Sequence, residues 1–175
     1  MARSILQRMI LNLGSGKRPI EGAVNLDWNA DNPGVTIACN IEEGICFRDN
    51  YFSEVVAFHV LEHVHNLPKM LREIHRVCKN GAIVKIAAPH YTNPQFYDDP
   101  SHVRPLSENT IPWVCSEENS DCAMTGKFKL ISNAVIGIAW SREKPTCVVA
   151  EMEVIKGGEN EDNTGINVHN GNATA

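Results

Sequence analysis

The chain of 175 residues carries 21 acidic and 16 basic side chains, a formal net charge of −5, and 43% of its residues are hydrophobic. This composition is typical of one globular domain with an ordinary core, and it argues against a broad nucleic-acid surface, which needs clustered lysine and arginine. No run is long enough to span a membrane, the N-terminus lacks a signal-peptide core, and the six cysteines form no metal-binding pattern. We therefore expect a cytoplasmic protein with reduced thiols and no membrane partner.

Short apolar runs bounded by turn-forming residues predict five buried strands, at residues 9–13, 23–26, 35–38, 54–58 and 83–88. Only about ten residues separate the first two runs, and they include Pro19 and Gly22. The stretch "WNADNPG" between the second and third runs is equally short. We therefore predict that the crossover helices of the N-terminal half are reduced to loops or single turns.

One amphipathic helix is predicted between the fourth and fifth runs, because apolar residues follow the 3.6-residue period from Leu67 to Cys78. Asn66 can serve as its N-cap and Pro68 fits its first turn. The sequence "KNG" at 79–81 is expected to end it. A strand, a helix and a strand in this order predict a crossover in a parallel sheet.

The C-terminal part contains two long apolar stretches, "FKLISNAVIGIAW" and "TCVVAEMEVI", joined by the short polar link "SREKP". So short a link predicts antiparallel neighbours. The predicted fold class is therefore α/β, a doubly wound and mostly parallel seven-stranded sheet with a C-terminal antiparallel hairpin and reduced N-terminal crossover helices. We expect one domain over residues 1–156, followed by a disordered polar tail over residues 157–175.

The stretch "LNLGSGKRPIEGAVNLD" contains features of a nucleotide pocket. Gly14 and Gly16 follow a predicted strand, where the lack of a side chain lets backbone amides approach a ligand. Asp27 ends the next strand and could accept hydrogen bonds from the hydroxyls of a ribose, although a turn or capping role is also compatible with its position. Asn40 closes the third strand and could contact an adenine edge. A Walker phosphate loop is excluded, because no second Gly-Lys-Ser/Thr follows.

The sequence "HVLEH" places His59, Glu62 and His63 where the fourth strand ends, which is the edge at which ligands bind in such sheets. This motif resembles the inverted H-x-x-E-H motif of metalloproteases, which needs a continuous helix to aim both histidines at one zinc ion. Because His59 is expected to end a strand, the two imidazoles should diverge, and we assign no metal to these residues.

The order of "LNLGSG", "VNLD", "CNIEEG", "DNYFSEVVAFHVLEHV" and "MLREIHRVCKNGAIVKIAAP" resembles the class I S-adenosylmethionine-dependent methyltransferases, especially their short type 11-like members. The resemblance covers about residues 9–155. It implies S-adenosylmethionine as the cofactor, with Asn12 standing where many members carry an acid. The other implied cofactor contacts are Gly14 and Gly16 at the methionine part, Asp27 at the ribose, Asn40 and Ile41 at the adenine, and His59 on the pocket floor.

A long loop after the fifth strand, "PHYTNPQFYDDPSHVRPLSENT", is rich in residues that could bind an acceptor and move a proton. His102 is the preferred base, Asp99 its possible orienter and His90 a further catalytic candidate. Tyr91 and Arg104 are candidates for binding the acceptor, and Arg104 suits an anionic group. Turn-forming and loop-tying roles for Asp99 and Arg104 are equally compatible with the sequence.

These features predict a methyltransferase that acts on a small-molecule or saccharide acceptor, the saccharide by analogy with related short methyltransferases. A nucleic-acid acceptor is not expected, since "APHY" replaces the motif used on base amines. Three alternatives remain at this point. They are a cofactor-binding but inactive module, a nicotinamide oxidoreductase, for which a third glycine and a full first helix are missing, and a zinc hydrolase built on His59, Glu62 and His63.

Overall fold

The computed structural model describes residues 8–116, 127–137 and 147–157. Its seven strands are β1 (Ile10–Leu13), β2 (Val24–Asp27), β3 (Ile37–Ala38), β4 (Phe52–Phe58), β5 (Cys78–Pro89), β6 (Phe128–Ile136) and β7 (Cys147–Val154). They form one sheet in the order β3-β2-β1-β4-β5-β7-β6. The pairs from β3 to β5 are parallel, whereas β7 runs antiparallel to both β5 and β6. The predicted fold class is confirmed, while the link between β6 and β7 and the predicted tail beyond Gly157 lie outside the described residues.

The N-terminal half of the sheet lacks crossover helices, as predicted. No helix occurs between β1 and β2, between β2 and β3, or between β3 and β4, all of which lie within the continuously described range 8–116. The connections are held instead by polar contacts. The side chain of Asn25, for example, accepts a hydrogen bond from the backbone N–H of Ile20 at 2.8 Å and donates to the carbonyl of the same residue at 3.1 Å.

The helix α1 (Leu67–Val77) crosses from β4 to β5 and follows a short 3₁₀ turn at Leu61–His63. Asn66 is its N-cap, and its side-chain oxygen accepts a hydrogen bond from the N–H of Lys69 at 2.9 Å. The helix packs its apolar face into the core through Leu67, Met70, Leu71, Ile74 and Val77. The predicted start of the helix is therefore confirmed.

The predicted boundary between this helix and the fifth strand was wrong, because β5 begins at Cys78 and includes "KNG". Phe52 pairs with Cys78 but Glu54 pairs with Ile83, so β5 has three more residues than β4 over this interval. Gly81 lies in this irregularity with φ = +74°, a conformation that glycine adopts readily. The turn-forming residues thus produce a bulged strand rather than a loop.

Arg76 on α1 joins the helix to the segment before β4. Its guanidinium donates to the carbonyls of Ile45 and Phe47 at 2.8 and 2.7 Å, to Asp49 at 2.8 Å, and twice to Glu73. These hydrogen bonds lower the pKa of the Glu73 carboxyl and raise that of Arg76. Arg76 lies outside the apolar stripe of the helix, but it satisfies backbone carbonyls that no helix or strand covers.

Two short helices, α2 (Gln95–Asp98) and α3 (Thr110–Cys115), follow β5. Phe96 of α2 is buried, as are Ile111 and Val114 of α3. Both helices lie in the chain segment that leaves the carboxyl end of β5. In doubly wound folds ligands bind at the carboxyl ends of the strands, where the strand order changes direction, here between β1 and β4.

None of the helices in the described part of the chain is both long enough and apolar enough to cross a membrane.

Candidate cofactor and acceptor site

A cavity of about 360 Å³ lies at the carboxyl ends of β1, β2, β3 and β4. Its size falls within the range of small-molecule sites. Six of the residues predicted to bind a cofactor line it together, although they come from four separate segments of the sequence. They are Gly14, Gly16, Asp27, Asn40, Ile41 and His59.

Gly14 and Gly16 form the turn after β1, with φ values of +62° and +50°. A Cβ atom on Gly14 would lie 2.5 Å from Cγ2 of Val60, so both the backbone conformation and the close approach of Val60 require glycine there. A Cβ atom on Gly16 would have nothing within 4 Å. Gly16 therefore borders open space, as expected of a residue whose backbone faces a ligand.

Asp27 ends β2 and is 5% exposed. Its carboxylate accepts hydrogen bonds from the N–H of Gly16 at 2.7 Å, from the N–H of Asn29 at 2.9 Å and from the side-chain amide of Asn32 at 3.2 Å. A carboxylate offers about four acceptor positions. One position is thus free for a ribose hydroxyl, and displacement of the longest contact, from Asn32, would free a second.

The turn after β3 also lines the cavity. The Asn40 side chain donates to Glu43 at 3.1 Å and accepts from the N–H of Glu42 at 3.2 Å, so it shapes this turn and borders the cavity at the same time. Ile41 contributes apolar surface beside it. Trp28, which follows Asp27, lines the same cavity and is 79% exposed. These residues form an apolar surface suited to a planar base.

Asn12 borders a neighbouring cavity of about 600 Å³ rather than the first one. Its buried amide donates to the carbonyl of Arg18 at 3.0 Å and to Oδ1 of Asn25 at 2.8 Å. Both N–H donors of this amide are therefore used to hold the β1–β2 connection. In the structure Asn12 therefore stabilises the connection that contains the glycine turn, and it does not line the first cavity.

His59 follows β4 and lines both cavities. Its φ of +58° is rare for a residue other than glycine, and such conformations occur preferentially at functional sites. Its backbone N–H donates to the carbonyl of Ala87 at 2.8 Å, and Nδ1 lies 3.2 Å from Oε1 of the fully buried Glu62. The left-handed conformation turns the chain from β4 into the 3₁₀ turn and leaves the imidazole half exposed at the floor of the cavity.

His102 lies beside His63, with ring centroids 4.6 Å apart, and His63 itself lines the first cavity. Nδ1 of His102 lies 2.8 Å from the carbonyl oxygen of Phe96, whereas Nε2 is 3.8 Å from Oδ2 of Asp99. The latter distance is too long for a hydrogen bond. The carbonyl of Phe96, rather than Asp99, therefore orients the ring of His102.

Asp99 instead organises its own loop. Its Oδ1 accepts from the hydroxyl of Ser101 at 2.6 Å and from the N–H of Ser101 at 2.8 Å. These two hydrogen bonds are the main reason that the pKa of the Asp99 carboxyl lies below its ordinary value. The carboxylate is accordingly a fixed negative charge near His102.

His90, Tyr91 and Arg104 are absent from the lining of the first cavity. His90 is buried, with Nδ1 2.7 Å from the hydroxyl of Thr92 and Nε2 3.0 Å from the Glu108 carboxylate. Tyr91 is half exposed. Arg104 donates to the carbonyl of His65 at 2.8 Å and borders a separate cavity of about 400 Å³ between α1 and α3. The structure therefore brings the cofactor candidates together but leaves these three acceptor-loop residues apart from them.

Two residues at the site, Trp28 and His63, are not among the site residues predicted from the sequence. Trp28 directly follows Asp27, so its position after β2 was a usable signal. His63 belongs to the "HVLEH" motif, and the sequence predicts only that its imidazole and that of His59 point apart. In the structure the ring of His63 contacts the ring of His102. His102 lies in a distant loop, so no local sequence pattern predicts this contact.

Comparisons with known proteins agree with this geometry. Residues 21–86 match the family model described as "Methyltransferase domain". The matched region extends from the loop before β2 into β5 and includes Asp27, Asn40, His59 and α1. A search of curated proteins finds none that matches this sequence.

Among solved structures, the chain is similar to a SAM-dependent methyltransferase from Archaeoglobus fulgidus, with a TM-score of 0.59 and 16% identity over 83% of this chain and 86% of the other. A SAM-dependent methyltransferase from Methanosarcina mazei gives a TM-score of 0.61 and 16% identity over 85% and 93%. An S-adenosylmethionine-dependent methyltransferase from Mesorhizobium loti gives 0.60 and 12% over 83% and 90%. At these identities the structures establish the fold.

The strand order, the glycine turn after β1, the acidic residue that ends β2 and the match over residues 21–86 agree with one another. The chain has the fold of the S-adenosylmethionine-dependent methyltransferases, and its residues 21–86 match the model of a methyltransferase domain.

Proposed function

We propose that the protein transfers a methyl group from S-adenosylmethionine to an oxygen or nitrogen atom of a small-molecule or saccharide acceptor. The observation that carries this proposal is the convergence of Gly14, Gly16, Asp27 and His59 on one cavity at the switch point of the sheet. If Gly14 and Gly16 only formed a tight turn after β1, nothing would require Asp27 from β2 and His59 after β4 to line the same cavity.

The bound cofactor supplies an electrophilic methyl group on a sulfonium, and the protein chiefly has to align the acceptor and exclude water. The glycine turn would offer backbone amides to the amino-acid part of the cofactor. Asp27 would accept hydrogen bonds from the ribose, and the segment of Asn40 and Ile41 would hold the adenine. His59 lines both neighbouring cavities and would form the floor of the cofactor pocket.

On the acceptor side we assign the proton transfer to His102. A carbonyl oxygen can only accept, so the contact with Phe96 places the hydrogen of a neutral His102 ring on Nδ1 and leaves a lone pair on Nε2. This nitrogen can accept a proton from an acceptor hydroxyl or ammonium. Asp99 would stabilise the protonated ring electrostatically across 3.8 Å.

The remaining acceptor-loop residues would take part only if the loop moves toward the cavity. We therefore keep two predictions that depend on such a movement. The first is that His90 is catalytic, and the second is that Tyr91 and Arg104 contact the acceptor. Loops over the carboxyl edge of a sheet commonly close on binding. Arg104 gives up one hydrogen bond, to the carbonyl of His65, if it turns toward an anionic acceptor.

A small-molecule or saccharide acceptor is favoured by the charge of the molecule. The chain carries a net charge of −5, which disfavours binding along a phosphate backbone. The loop after β5 also lacks the motif used on base amines and carries "APHY" instead. A neutral or weakly charged acceptor with a hydroxyl group is the class that fits both observations.

Titration calorimetry with S-adenosylmethionine and S-adenosylhomocysteine, with NAD as the comparison ligand, tests the cofactor assignment. Asp27→Asn should weaken binding of both sulfur ligands by about 10- to 100-fold, because it removes hydrogen bonds to a charged acceptor. Asp31→Asn is the matched control, since Asp31 is exposed and follows the same strand. Equal affinity of the wild type and Asp27→Asn, in protein shown to be folded, would contradict the ribose assignment.

The competing hypothesis is a module that binds the cofactor without transferring its methyl group. It is favoured by one observation, namely that the acceptor-loop residues His90, Tyr91 and Arg104 are absent from the lining of the first cavity. A methyl-labelled cofactor separates the two functions when a panel of hydroxylated small molecules and sugars is screened. Binding without any transfer across the panel would favour the inactive module, and transfer that is lost in Asp27→Asn would exclude it.

A further inference from the structure

We propose that Glu62, His63 and His102 form a binding site for one divalent transition-metal ion of the zinc type. Each of the three side chains offers one possible ligand atom, and these three atoms all lie within 4.8 Å of one another. Among the described residues, this is the group of at least three histidine, cysteine, aspartate or glutamate side chains that meets this distance. Two of them come from the 3₁₀ turn after β4 and the third comes from the loop after α2. The set differs from the sequence motif considered above, because His102 takes the place of His59.

The buried carboxylate of Glu62 is the first observation that points to a cation. Glu62 is 0% exposed, and its Oε2 has no hydrogen-bond partner. The other oxygen, Oε1, lies 3.2 Å from Nδ1 of His59. A buried carboxylate oxygen that no hydrogen bond satisfies is unfavourable. A cation bound to Oε2 removes this penalty.

The second observation is that hydrogen bonds to neighbouring groups prepare the ring of His102 as a ligand. Nδ1 faces the carbonyl of Phe96 at 2.8 Å, so it carries the hydrogen and Nε2 keeps its lone pair. Histidine ligands of metals typically donate their other N–H to a backbone carbonyl or carboxylate in this way, which fixes the ring orientation.

His63 is prepared in the same way through Ser101. The single hydroxyl hydrogen of Ser101 is donated to Oδ1 of Asp99 at 2.6 Å. The hydroxyl oxygen, 3.0 Å from Nδ1 of His63, must therefore accept from that nitrogen. Nε2 of His63 then carries the lone pair and can serve as a metal ligand. Asp99 and Ser101 thus act as supporting groups behind a ligand.

The donor set of two imidazoles and one carboxylate is found in zinc sites that keep a fourth position open, and in iron(II) sites. Ligand atoms about 2 Å from zinc lie about 3.3 Å apart in tetrahedral geometry. No separation in the cluster exceeds 4.8 Å, so none has to close by more than about 1.5 Å. Rotation of the side chains of His63 and His102, both of which are partly exposed, can supply this movement.

The binding of the ion does not depend on the proposed methyl transfer, but the function of the ion does. His63 lines the cofactor cavity, so an open metal position would face the acceptor side of that cavity. An acceptor hydroxyl bound there would lose its proton to water more readily, because a metal ion lowers the pKa of a bound hydroxyl group. Nε2 of His102 would then be a metal ligand, and it would act as the base only in the metal-free protein.

The test is titration of the full chain, stripped of metal with a chelator, with ZnCl₂ by calorimetry and with Co²⁺ followed by visible absorption. We expect one ion per chain, a dissociation constant in the micromolar range or below, and an intense cobalt band typical of a four-coordinate site. Glu62→Gln and His102→Gln should each weaken binding at least tenfold. Wild-type protein that is folded by circular dichroism but binds no stoichiometric zinc or cobalt would overturn the proposal.

The controls are two histidines outside the set. His65→Gln removes an exposed imidazole 3.2 Å from the carboxylate of Glu42, and this pair resembles the proposed site in composition. His59→Gln removes the partner of Oε1 in Glu62. His65→Gln should bind zinc with nearly the affinity of the wild type. His59→Gln should weaken binding, because it removes a group that orients Glu62, but less than His102→Gln does. If His102→Gln binds zinc with full affinity and His59→Gln does not, the ion binds at His59, Glu62 and His63 instead, and the proposal is wrong. Titration of the same samples with S-adenosylmethionine tests the proposed function separately.

Discussion

At the scale of single residues, Gly14 combines a backbone requirement with a packing requirement. Its φ of +62° disfavours other residues, and an added Cβ would meet Val60 at 2.5 Å. Val60 is buried and begins the turn that carries Glu62 and His63. A shift of Val60 would therefore displace both the cofactor cavity and the metal candidate.

Gly14→Ala should accordingly destabilise the fold and weaken cofactor binding. Gly22→Ala is the matched control, because Gly22 has φ = +75° but a methyl group added there would meet nothing within 4 Å. The control incurs only the backbone cost of about 1–2 kcal/mol. We expect Gly14→Ala to lose about 1–3 kcal/mol more than Gly22→Ala in urea denaturation, as overpacking does. Equal losses would show that Val60 moves aside freely.

The sequence predicts that Gly14, Gly16 and Asp27 lie together, because strand ends in a parallel sheet meet at one edge, and the three residues do line one cavity. It could not predict that His63 contacts His102. That contact depends on the path of the loop after β5, which is set by hydrogen bonds such as those from the N–H groups of Val103 and Arg104 to the carbonyl of Glu62. Such contacts between distant residues leave no local pattern in a sequence.

At the scale of elements, Arg76 replaces part of the missing secondary structure between β3 and β4. Its planar guanidinium reaches two carbonyls and two carboxylates at once, which a lysine ammonium cannot do. Arg76→Lys should therefore lower the free energy of unfolding by about 1–2 kcal/mol, a value reduced by the partial exposure of the group.

Arg72→Lys is the control for this prediction, since Arg72 lies on the exposed face of the same helix. It should change the stability by less than about 0.5 kcal/mol. Guanidinium chloride denaturation of both variants measures the difference. If Arg76→Lys matches Arg72→Lys, the hydrogen bonds of Arg76 contribute no net stability.

The elements also show where local patterns are ambiguous. Asn66 caps the helix as predicted, because capping depends on residues only three positions apart. "KNG" was expected to end the helix, but it lies in the bulged start of β5. Sequence alone could not distinguish these outcomes, because glycine with positive φ serves both helix ends and bulges. The pairing of Phe52 with Cys78 decides between them.

At the scale of the whole molecule, stability should fall as the pH falls. Burial lowers the pKa of His75, so the unfolded chain binds a proton near pH 6.5 that the folded chain does not. Hydrogen bonds from Arg76 lower the pKa of Glu73, and one from the N–H of His65 lowers that of Glu42. The unfolded state again binds more protons as the pH falls below about 4.5.

We therefore expect two declines in the denaturation midpoint, one below about pH 6.5 and a second below about pH 4.5. His75→Asn should flatten the first decline and Glu73→Gln the second, each without removing the other. The midpoint measured at intervals from about pH 7.5 to about pH 2.5 tests both. A stability that rises on acidification would show that the signs assigned to these groups are wrong.

The overall architecture was largely predictable because it follows from the lengths of connections. A ten-residue link between two apolar runs excludes a full crossover helix, and a five-residue link between two long runs favours an antiparallel pair. The order of the strands along the sheet could not be predicted in this way, since nothing in the alternation of apolar and polar residues specifies which strand lies beside β1.

The short link between β1 and β2 also affects how the chain assembles. Ten residues, 14–23, connect the two strands, whereas the crossover between parallel strands usually takes a dozen residues or more. The entropy lost on closing a loop grows with its length, and each doubling adds about 0.6 kcal/mol. The links between β1 and β2 and between β2 and β3 are short, so closing them costs little entropy. We therefore expect the parallel pairs of the N-terminal half, which has no crossover helices, to be the ones that begin to form most easily.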